Sequence, residues 1–568
     1  MGYGACSIDR WCWERPSPQG NQLFDVWADK LTDVWAVGAD GVILHHDGVN
    51  WSGTFAPGHS NLRSVWGSGA SDVWAVGDDS AVFHFDGTAW TSFDVDAGND
   101  AGTPPTHNFR AVTGTAPNDA WAFGSGGIIY HYDGSGWTSD TSPVTNTLLS
   151  AWADPGGEVW AVGGQGKIIH YDGTSWKAQA SGHTTTLDAV RGTSASDVWA
   201  TGGNVVLHYD GKSWKNGAAG AAAGTIGGAI ALALDGQEVW EFGSAGRAAR
   251  YDGSAWTALN TGISDNLRGA TQLESGKVLA VGDHGALLYY AGDKRAQLTA
   301  GGSKNHLAIS GSSSSDVWVV GDEVLHFNGK SWSVVDTKSP RSLYGVEADA
   351  QDSAIAVGTG GTLLTWDGSA WAPTVSGTGN WLRGVWSDGQ GSAFAVGAAG
   401  TTVKLSSVAG WAKVPSGVGA TLNAVWGADA SRVWAVGDSG TVLGWDTVKW
   451  TKMSVTYEGG AKPSLRAVWG TGPDSVWAVG SNGSVLYYDG ASWAEQTGGE
   501  DYSLNAVWGS SDKDVWAAGT GGTLLHFDGS GWTPSDSGTS VTLDGLWGAS
   551  GSNVRAVGED GLILHYQP

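Results

Sequence analysis

Histidine recurs at one position of a repeated sequence unit, and it is the residue type most often used for proton transfer and metal binding near neutral pH. Most copies place an aspartate two residues later, as in His170-Tyr171-Asp172-Gly173. Because residues i and i+2 share one face of a strand, we expect each histidine to pair with that aspartate and to fix the turn. A metal site needs three or four converging ligands, so no metal ligand is assigned. The repeated histidines are His45, His84, His131, His170, His208, His326, His526 and His565.

Other catalytic motifs are missing or incomplete. Gly-Lys-Ser occurs at 211–213 and 329–331, without the earlier glycine or the following helix of a phosphate-binding loop. No His-Glu-x-x-His zinc motif occurs. The docking motif of a quinone-cofactor dehydrogenase should recur in every copy of the repeat, whereas Gly-Lys-Ser-Trp occurs only twice. We therefore predict no catalytic residue, no cofactor and no enzymatic activity.

Arginine occupies the second position of the first apolar run in five copies of the repeat. If that run is the innermost strand of each copy, these side chains line one mouth of a central channel, where an anionic partner would bind. The five candidate interaction residues are Arg63, Arg110, Arg268, Arg383 and Arg466.

Acidic residues recur at two other positions, before the second run (as at Asp33) and in the turn after the third run (as at Asp47). Because strand direction alternates, both sets are expected on the face opposite the arginines. Aspartate also suits turns for purely local reasons. The expected consequence is an acidic face that would meet a cationic partner.

The repeat itself dominates the sequence. Val-Trp-Ala-Val-Gly, or a degenerate copy, ends at fourteen glycines between Gly38 and Gly558, spaced 37–47 residues apart. Each copy holds four short apolar runs, here called A to D, separated by Gly- and Asp-rich turns. Four short strands per copy at this spacing are typical of a β-propeller blade. The sequence therefore predicts an all-β propeller of fourteen four-stranded blades.

The two ends of the chain suggest how the propeller closes. The last copy stops after run C, and a spare strand lies at 11–15, before the first copy begins at Leu23. We therefore predict that segment 1–22 completes the last blade and that 23–568 forms one closed ring. The alternative is two seven-bladed rings, because propellers usually have four to eight blades.

Tryptophan contributes 35 of the 568 residues and recurs in runs A, B and D, as at Trp27, Trp35 and Trp51. Since each buried ring removes ~150–250 Å² from water, we expect most of them to pack between blades. The alternative is that exposed rings stack on sugars, as in a multivalent lectin.

The strings DVWAVG (33–38), HYDG (170–173) and GTSW (173–176) resemble a family of bacterial Trp-rich β-propeller repeats, which includes giant many-bladed propellers. The family is found largely in exported or lipid-anchored envelope proteins. The resemblance implies an extracytoplasmic location, secreted or envelope-associated. No apolar leader is visible in residues 1–23, so we expect the leader to be absent from this chain. Its motifs carry no chemistry. We therefore expect a non-enzymatic scaffold or protein-interaction ring of the cell envelope, the alternative being a carbohydrate-binding propeller.

The net charge of −26 limits the partners. It argues against nucleic acid, which needs a basic surface, and against an anionic membrane. We expect a monomer without membrane insertion and a protein partner, for which the acidity favours a cationic one. The chain has only two cysteines, Cys6 and Cys12, and the sequence leaves open whether they pair.

Overall fold

The computed structural model describes residues 6–15, 19–30, 32–95, 106–218, 228–236, 238–274, 276–292, 294–297, 304–406, 410–457, 462–496 and 502–568. These residues form fourteen sheets, and each sheet has four antiparallel strands, named A to D after the sequence runs. The prediction of an all-β protein built from repeated four-stranded blades is confirmed. The chain divides into two compact units, a first unit of residues 17–301 and a second unit of residues 1–16 with 302–568.

The first unit contains sheets 1 to 7. Its strands A to D are Leu23–Lys30, Asp33–Gly38, Val42–His46 and Trp51–Phe55; Leu62–Gly69, Asp72–Gly77, Val82–Phe85 and Trp90–Ser92; Phe109–Ala116, Asp119–Gly124, Ile129–Tyr132 and Trp137–Asp140; Leu148–Ala153, Val159–Gly163, Lys167–Tyr171 and Trp176–Gln179; Ala189–Ser194, Asp197–Gly202, Val205–Tyr209 and Trp214–Asn216; Ala229–Asp235, Glu238–Gly243, Ala248–Tyr251 and Trp256–Leu259; Leu267–Glu274, Lys277–Gly282, Leu287–Ala291 and Lys294–Gln297.

The second unit contains sheets 8 to 14. Its strands are His306–Ser313, Asp316–Gly321, Val324–Phe327 and Trp332–Val334; Leu343–Ala350, Ser353–Gly358, Leu363–Trp366 and Trp371–Pro373; Leu382–Ser387, Ala393–Gly397, Thr401–Ser406 and Gly410–Lys413; Leu422–Asp429, Arg432–Gly437, Thr441–Trp445 and Trp450–Lys452; Leu465–Gly472, Ser475–Gly480, Val485–Tyr488 and Trp493–Gln496, with Val455–Thr456 added in parallel; Leu504–Ser511, Asp514–Gly519, Leu524–Phe527 and Trp532–Ser535; Leu543–Ser550, Asn553–Gly558, Ile563–Tyr566 and Trp11–Arg15. Nine B–C turns form single 3-10 turns, namely Ala39–Gly41, Ser125–Gly127, Gly164–Gly166, Ser244–Gly246, Asp283–Gly285, Thr359–Gly361, Ala398–Gly400, Thr520–Gly522 and Glu559–Gly561.

Strand B of each sheet is buried on both faces. In the Val-Trp-Ala-Val-Gly string of sheet 2, for example, every residue from Val73 to Gly77 is buried. A strand covered on both sides reads as a continuous apolar run, which is why this string is the best preserved part of the repeat. The prediction that most tryptophans pack between sheets is confirmed for strand B, since Trp74, Trp160 and Trp318 have no exposed surface.

Within the first unit the sheets pack face to face in chain order, and sheet 7 also packs against sheet 1. Leu23 and Val26 of sheet 1 share a single apolar core with Leu279, Val281 and Leu287 of sheet 7. Sheet 7 has its own four strands, so no strand is shared where it packs on sheet 1.

Within the second unit, sheet 14 packs in the same way against sheet 8. Ile309 and Phe327 of sheet 8 share a core with Val557 and Ile563 of sheet 14. Sheet 14 takes its fourth strand from the N-terminal segment, with Trp11 opposite Tyr566. The prediction that a spare N-terminal strand completes the last blade is therefore confirmed.

The prediction of one fourteen-bladed ring over 23–568 disagrees with these contacts. In such a ring strand Leu23–Lys30 would not touch strand Leu267–Glu274, whereas the two strands pack together. The contacts fit the alternative of two seven-bladed rings. The chain does contain one spare strand, Trp11–Arg15, but no strand is shared where sheet 7 packs on sheet 1. A single spare strand therefore does not imply a single ring.

Neighbouring sheets are joined by a repeated contact between a tryptophan and a glycine of adjacent A strands. The fifth residue of strand A in one sheet lies over the sixth residue of strand A in the next sheet. A Cβ atom on the glycine would lie only 2.5–2.9 Å from the indole ring. The eight contacts are Trp27–Gly67, Trp66–Gly114, Trp152–Gly192, Trp386–Gly427, Trp426–Gly470, Trp469–Gly509, Trp508–Gly548 and Trp547–Gly311.

The same two positions change together where the contact is absent. At the six remaining junctions between packed sheets, the first position is not tryptophan and the second is not glycine. One example is Thr271 and Ala28, where sheet 7 packs on sheet 1. A single ring would instead place Trp547 over Ala28 and Thr271 over Gly311. The tryptophan and glycine positions in the sequence therefore fit two separate sets of seven sheets better than one set of fourteen.

The closure of the second unit contains a buried ion pair. Glu14 accepts hydrogen bonds from Arg555 Nε at 2.8 Å and Nη2 at 3.0 Å, and these side chains are 4% and 2% exposed. Trp332 Nε1 of sheet 8 donates to the same carboxylate at 3.3 Å, and the Arg555 guanidinium lies 4.7 Å above the Phe327 ring. Cys6 is joined to Cys12 of the closing strand by a disulfide. The closing strand is thus fixed by charge as well as by its backbone ladder.

We predict that the Trp–Gly contact is energetically coupled. Trp152→Ala should lower the free energy of unfolding by about 3–5 kcal/mol because it leaves a cavity. Gly192→Ala should cost about 1–3 kcal/mol, because all three atoms nearest its new Cβ belong to Trp152. The double variant should cost less than the sum by about 1–2 kcal/mol in urea unfolding. Additive losses would contradict the contact.

We also predict that Glu14→Gln strongly destabilises the second unit. Removing one partner of a buried ion pair leaves the other charge uncompensated and typically costs about 3–5 kcal/mol. Differential scanning calorimetry should show one transition moved to lower temperature. Arg432→Gln breaks the exposed pair with Asp429 in the same unit and serves as the control, with an expected loss below about 1 kcal/mol. Equal effects of the two substitutions would refute a closing role for Glu14.

Candidate functional site

The candidate site begins with a β-bulge near the start of strand A. In thirteen of the fourteen sheets the pairing of strands A and B shifts at the second residue of strand A, as between Leu62 and Ser64 around Arg63. A bulge leaves one residue outside the ladder and re-aims its side chain. We call the residues at this position the mouth residues, because in each unit they surround one cavity. They are the second residues of strand A in thirteen sheets and, in sheet 5, the equivalent residue Asp188 directly before strand Ala189–Ser194.

The sequence signal for the bulge is a break in alternation. Leu62 and Val65 are both buried although they are three residues apart, which strict alternation does not allow. The mouth residues of the first unit are Phe24, Arg63, Arg110, Leu149, Asp188, Ile230 and Arg268. Those of the second unit are Leu307, Tyr344, Arg383, Asn423, Arg466, Asn505 and Asp544.

Every mouth arginine of the first unit is paired with a carboxylate. Arg63 Nη2 and Arg110 Nη1 contact the two oxygens of Asp78 at 2.6 and 3.0 Å. Arg268 donates to both oxygens of Asp283. Burial opposes ionisation of Asp78, but hydrogen bonds from Arg63 and Asn61 hold its pKa below the usual range. Two carboxylates are therefore paired with the three arginines, and Arg63 and Arg110 share one of them.

Two further carboxylates lie at this mouth. Asp25 accepts hydrogen bonds from Ser64 Oγ at 2.8 Å and from the Val65 amide at 3.1 Å. Burial nevertheless raises the pKa of Asp25, against the lowering effect of Arg191 and these hydrogen bonds. Burial also raises the pKa of Asp188 to about 6. The cavity that they line has a volume of only about 60 Å³, enough for about two water molecules.

The mouth arginines of the second unit are held by amides instead. Arg383 Nη1 donates to Asn423 Oδ1 at 3.2 Å, and Arg466 Nη1 donates to Asn505 Oδ1 at 2.5 Å. The amide nitrogens in turn bind the next strand A, at Leu465 O (2.8 Å) and at Leu543 O (3.1 Å). Each arginine is thus oriented by a neutral group that is itself fixed.

Two carboxylates near these arginines accept hydrogen bonds from other groups, although the charges of Arg383 and Arg466 act to lower the pKa of Asp438 and Asp544, respectively. Asp438 accepts hydrogen bonds from Ser464 Oγ at 2.6 Å and from Asn423 Nδ2 at 3.1 Å. Asp544 accepts one from Asn505 Nδ2 at 2.9 Å. Burial, assisted by the charge of Glu559, raises the pKa of Asp544 to about 6.

An aromatic pair borders this second mouth. Tyr344 is a mouth residue of sheet 9, and Trp381 directly precedes strand A of sheet 10. Their ring centroids are 5.9 Å apart, and 47% of the Trp381 surface is exposed. The cavity beside them has a volume of about 390 Å³.

The structure divides the five arginines chosen from the sequence between two mouths. Arg63, Arg110 and Arg268 line the cavity of the first unit, and Arg383 and Arg466 line that of the second. The prediction of one common mouth is therefore wrong, because it followed from the single ring. That these residues contact a partner stays a prediction. Sequence reasoning missed Tyr344, Trp381, Asn423 and Asn505, although all but Trp381 occupy the same repeat position.

The prediction that each histidine pairs with the aspartate two residues later is wrong. His45 Nε2 binds Asp33 Oδ1 across strands B and C at 2.7 Å, and the ring stacks on Trp35 with centroids 4.0 Å apart. Asp47, two residues after His45, instead accepts the amides of Val49 and Asn50 in the turn. The strand ends at His46, so the i, i+2 rule for strands does not extend to Asp47. Equivalent contacts join His84, His131, His170, His208, His326 and His526 to the acid before strand B.

The two predicted acidic sets do lie at one end of their sheet. Val34 pairs with His46, which puts Asp33 and Asp47 side by side, while Leu23 at the start of strand A lies opposite Gly38 at the other end. Within the described ranges, no group of three or more His, Cys, Asp and Glu side chains is arranged to hold a metal ion. Nor does that part of the chain contain a helix long and apolar enough to cross a membrane.

Comparison with known proteins shows the fold and nothing finer. No family model and no curated protein matches the chain. PorZ of Porphyromonas gingivalis, described as an essential bacterial surface component of the type-IX secretion system, is similar with a TM-score of 0.64 and 14% identity, over 96% of this chain and 86% of PorZ. A GH74 enzyme of Niastella koreensis is similar with a TM-score of 0.59 and 14% identity, over 96% and 98% of the two chains. The chain therefore has a propeller-type repeat fold that both an enzyme and a secretion-system component share.

We predict a pH-dependent loss of stability that arises from Glu347, which replaces the strand-A tryptophan in sheet 9. Burial, reinforced by the charge of Asp349, raises its pKa from 4.5 to about 8. A raised carboxyl pKa means that the folded state retains the proton, so stability is complete below pH 4.5 and is lost as the pH rises towards 8. Urea unfolding should show a fall of roughly 2–4 kcal/mol between pH 5 and pH 9.

Glu347→Gln should make this pH profile shallower, most clearly between pH 7 and pH 9, because glutamine does not titrate and the raised pKa values of Asp188 and Asp544, about 6, lie below that range. Asp352→Asn changes an exposed carboxylate of the same sheet and is the matched control, with the wild-type slope expected. A Glu347→Gln profile as steep as that of the wild type would show that another group is responsible.

Proposed function

We propose that the chain is a non-enzymatic protein-interaction module of the bacterial cell envelope and that its mouth residues contact the partner. One observation carries this proposal. The repeat keeps its packing positions nearly constant, with leucine at the first residue of strand A in eleven of fourteen copies. The next residue, which the bulge turns into the mouth, differs between copies and includes aromatic, aliphatic, acidic, amide and arginine side chains.

The chemistry of the mouths supports binding rather than catalysis. Ligand pockets of enzymes usually measure about 300–1,000 Å³, and the cavity beside Asp25 and Asp188, whose raised pKa values would suit acid–base work, measures about 60 Å³. The larger cavity of the second unit is lined by two arginines and by Tyr344, whose ring contacts the exposed Trp381. Arginine, tyrosine and tryptophan are the residue types enriched in the energetic centres of protein interfaces.

An extracytoplasmic location is part of the proposal. The disulfide between Cys6 and Cys12 is of a kind that persists in oxidising compartments. The similarity to PorZ, which is described as a bacterial surface component, agrees with this location. The acidic ends of the sheets are the proposed contact for a cationic partner, and we propose a monomer that binds neither nucleic acid nor membrane.

A carbohydrate-binding propeller is the second candidate, and the exposed ring of Trp381 beside Tyr344 favours it. A glycan array separates the two candidates, because a lectin should bind several sugars and lose them with Trp381→Ala. If no sugar binds, the protein-interaction proposal is favoured.

The proposed function predicts that partner capture depends on the mouth. Tagged wild-type protein should retain specific envelope proteins after chemical cross-linking, and Arg383→Gln/Arg466→Gln should retain at least about tenfold less of them, equal to about 1.4 kcal/mol. Arg432→Gln is the control, because it removes an exposed arginine of the same unit away from the mouth cavity. Equal capture by all three proteins, measured by quantitative mass spectrometry, would refute a role for the second mouth.

A further inference from the structure

The mouth arginines of the two units differ in how their charge is compensated. In the first unit Arg63, Arg110 and Arg268 all form ion pairs with carboxylates. In the second unit no carboxylate among the described residues lies within 4.0 Å of the guanidinium of Arg383 or Arg466. Asp438 and Asp544 lie near enough to interact with the charge of Arg383 and Arg466, but they form no ion pair with them. The same repeat position therefore carries ion-paired guanidinium groups in the first unit and guanidinium groups without a direct ion pair in the second.

The guanidinium groups of the second unit are nevertheless oriented. Each uses Nη1 to bind an asparagine oxygen, which leaves the Nε and Nη2 edge for another acceptor. This edge carries two parallel N–H groups, the geometry that binds a carboxylate through two hydrogen bonds. Both arginine side chains are exposed. Because the asparagines are anchored on the next strand A, little side-chain freedom remains to be lost on binding.

The aromatic pair adds an apolar contact at the same mouth. Trp381 is one of only six large hydrophobic side chains that are exposed among the described residues. It directly precedes strand A of the sheet that carries Arg383, and its partner Tyr344 lines the cavity together with both arginines. A cavity of about 390 Å³ is large enough for several amino-acid side chains.

We propose that the mouth of the second unit binds an acidic segment of a protein partner. Its carboxylates bind Arg383 and Arg466, and an aromatic or aliphatic side chain between them packs against Trp381 and Tyr344. The inference rests on the proposed function and adds the ligand class. An acidic polysaccharide offers carboxylates too, but arginine and tyrosine in one cavity, with an exposed tryptophan packed on the tyrosine, are the combination typical of a protein interface.

The probe is a fluorescein-labelled, amide-capped peptide of seven glutamates around one phenylalanine, titrated with the full chain and followed by fluorescence anisotropy. Arg383→Gln/Arg466→Gln should weaken binding at least tenfold, and binding should weaken steeply between 50 and 200 mM NaCl. Arg63→Gln/Arg110→Gln changes the same repeat position in the first unit and should alter affinity less than twofold. Because Arg383 and Arg466 are exposed, their replacement should leave the thermal unfolding curve unchanged.

Two further variants test the geometry. Arg383→Lys/Arg466→Lys keeps both charges but not the paired N–H groups, so affinity should fall between those of the wild type and the glutamine variant. Trp381→Ala should weaken the phenylalanine-containing peptide severalfold and leave an all-glutamate peptide unaffected. Equal loss of both peptides would overturn the apolar contact.

Three outcomes overturn the proposal. In the first, the peptide does not bind. In the second, it binds equally well to the wild type and to the Arg383→Gln/Arg466→Gln variant. In the third, oligogalacturonate binds in a way that depends on these arginines and the peptide does not, which assigns the mouth to an acidic glycan. If cross-linking still captures an arginine-dependent protein while the peptide fails, the ligand class is wrong and the proposed function stands. If the peptide binds but no envelope protein depends on the arginines, the proposed function fails instead.

Discussion

The contact of a tryptophan ring with a glycine of the next sheet is the constraint on which the rest of the structure depends. Glycine lacks a Cβ atom, so the A strands of neighbouring sheets approach closely enough for the indole ring to cover the backbone of the next strand. At these eight junctions the contact sets the spacing of the A strands. It also restricts which sheets can be neighbours there, because a tryptophan without a glycine opposite would clash, and a glycine without a tryptophan would leave a void.

The mouth residues follow from that packing. Strand A must present its first residue, such as Leu62, and its fourth, Val65, to the core, and an alternating strand cannot do so with residues three apart. The bulge allows both residues to face the core, and it leaves the mouth residue between them outside the pairing of strands A and B. Binding residues can therefore differ from copy to copy without cost to the fold, which is how a uniform repeat acquires a site of mixed chemistry.

Charge is handled differently at each part of the molecule. Between strands B and C, the acid at the start of strand B pairs with a histidine that stacks on tryptophan, as Asp33 does with His45 over Trp35. In sheet 14, arginine occupies the position of that tryptophan, and Arg555 forms a buried ion pair with Glu14. The first mouth pairs its arginines with Asp78 and Asp283, whereas the second leaves its arginines to asparagine.

The sequence by itself determined the four strands of each sheet, their turns and the completion of sheet 14 by Trp11–Arg15, because these depend on local alternation and on turn residues. It also determined the position of Arg383 and Arg466 within the repeat. The tertiary structure decided that sheet 7 packs on sheet 1, since a contact between residues as far apart in the chain as Leu23 and Leu279 leaves no local pattern. Its one trace in the sequence is the paired change of the tryptophan and glycine positions at Thr271 and Ala28. The tertiary structure likewise decided which arginines form ion pairs. The partner of Arg63 is Asp78 and the partner of Arg383 is Asn423, and each partner lies outside the strand that carries the arginine.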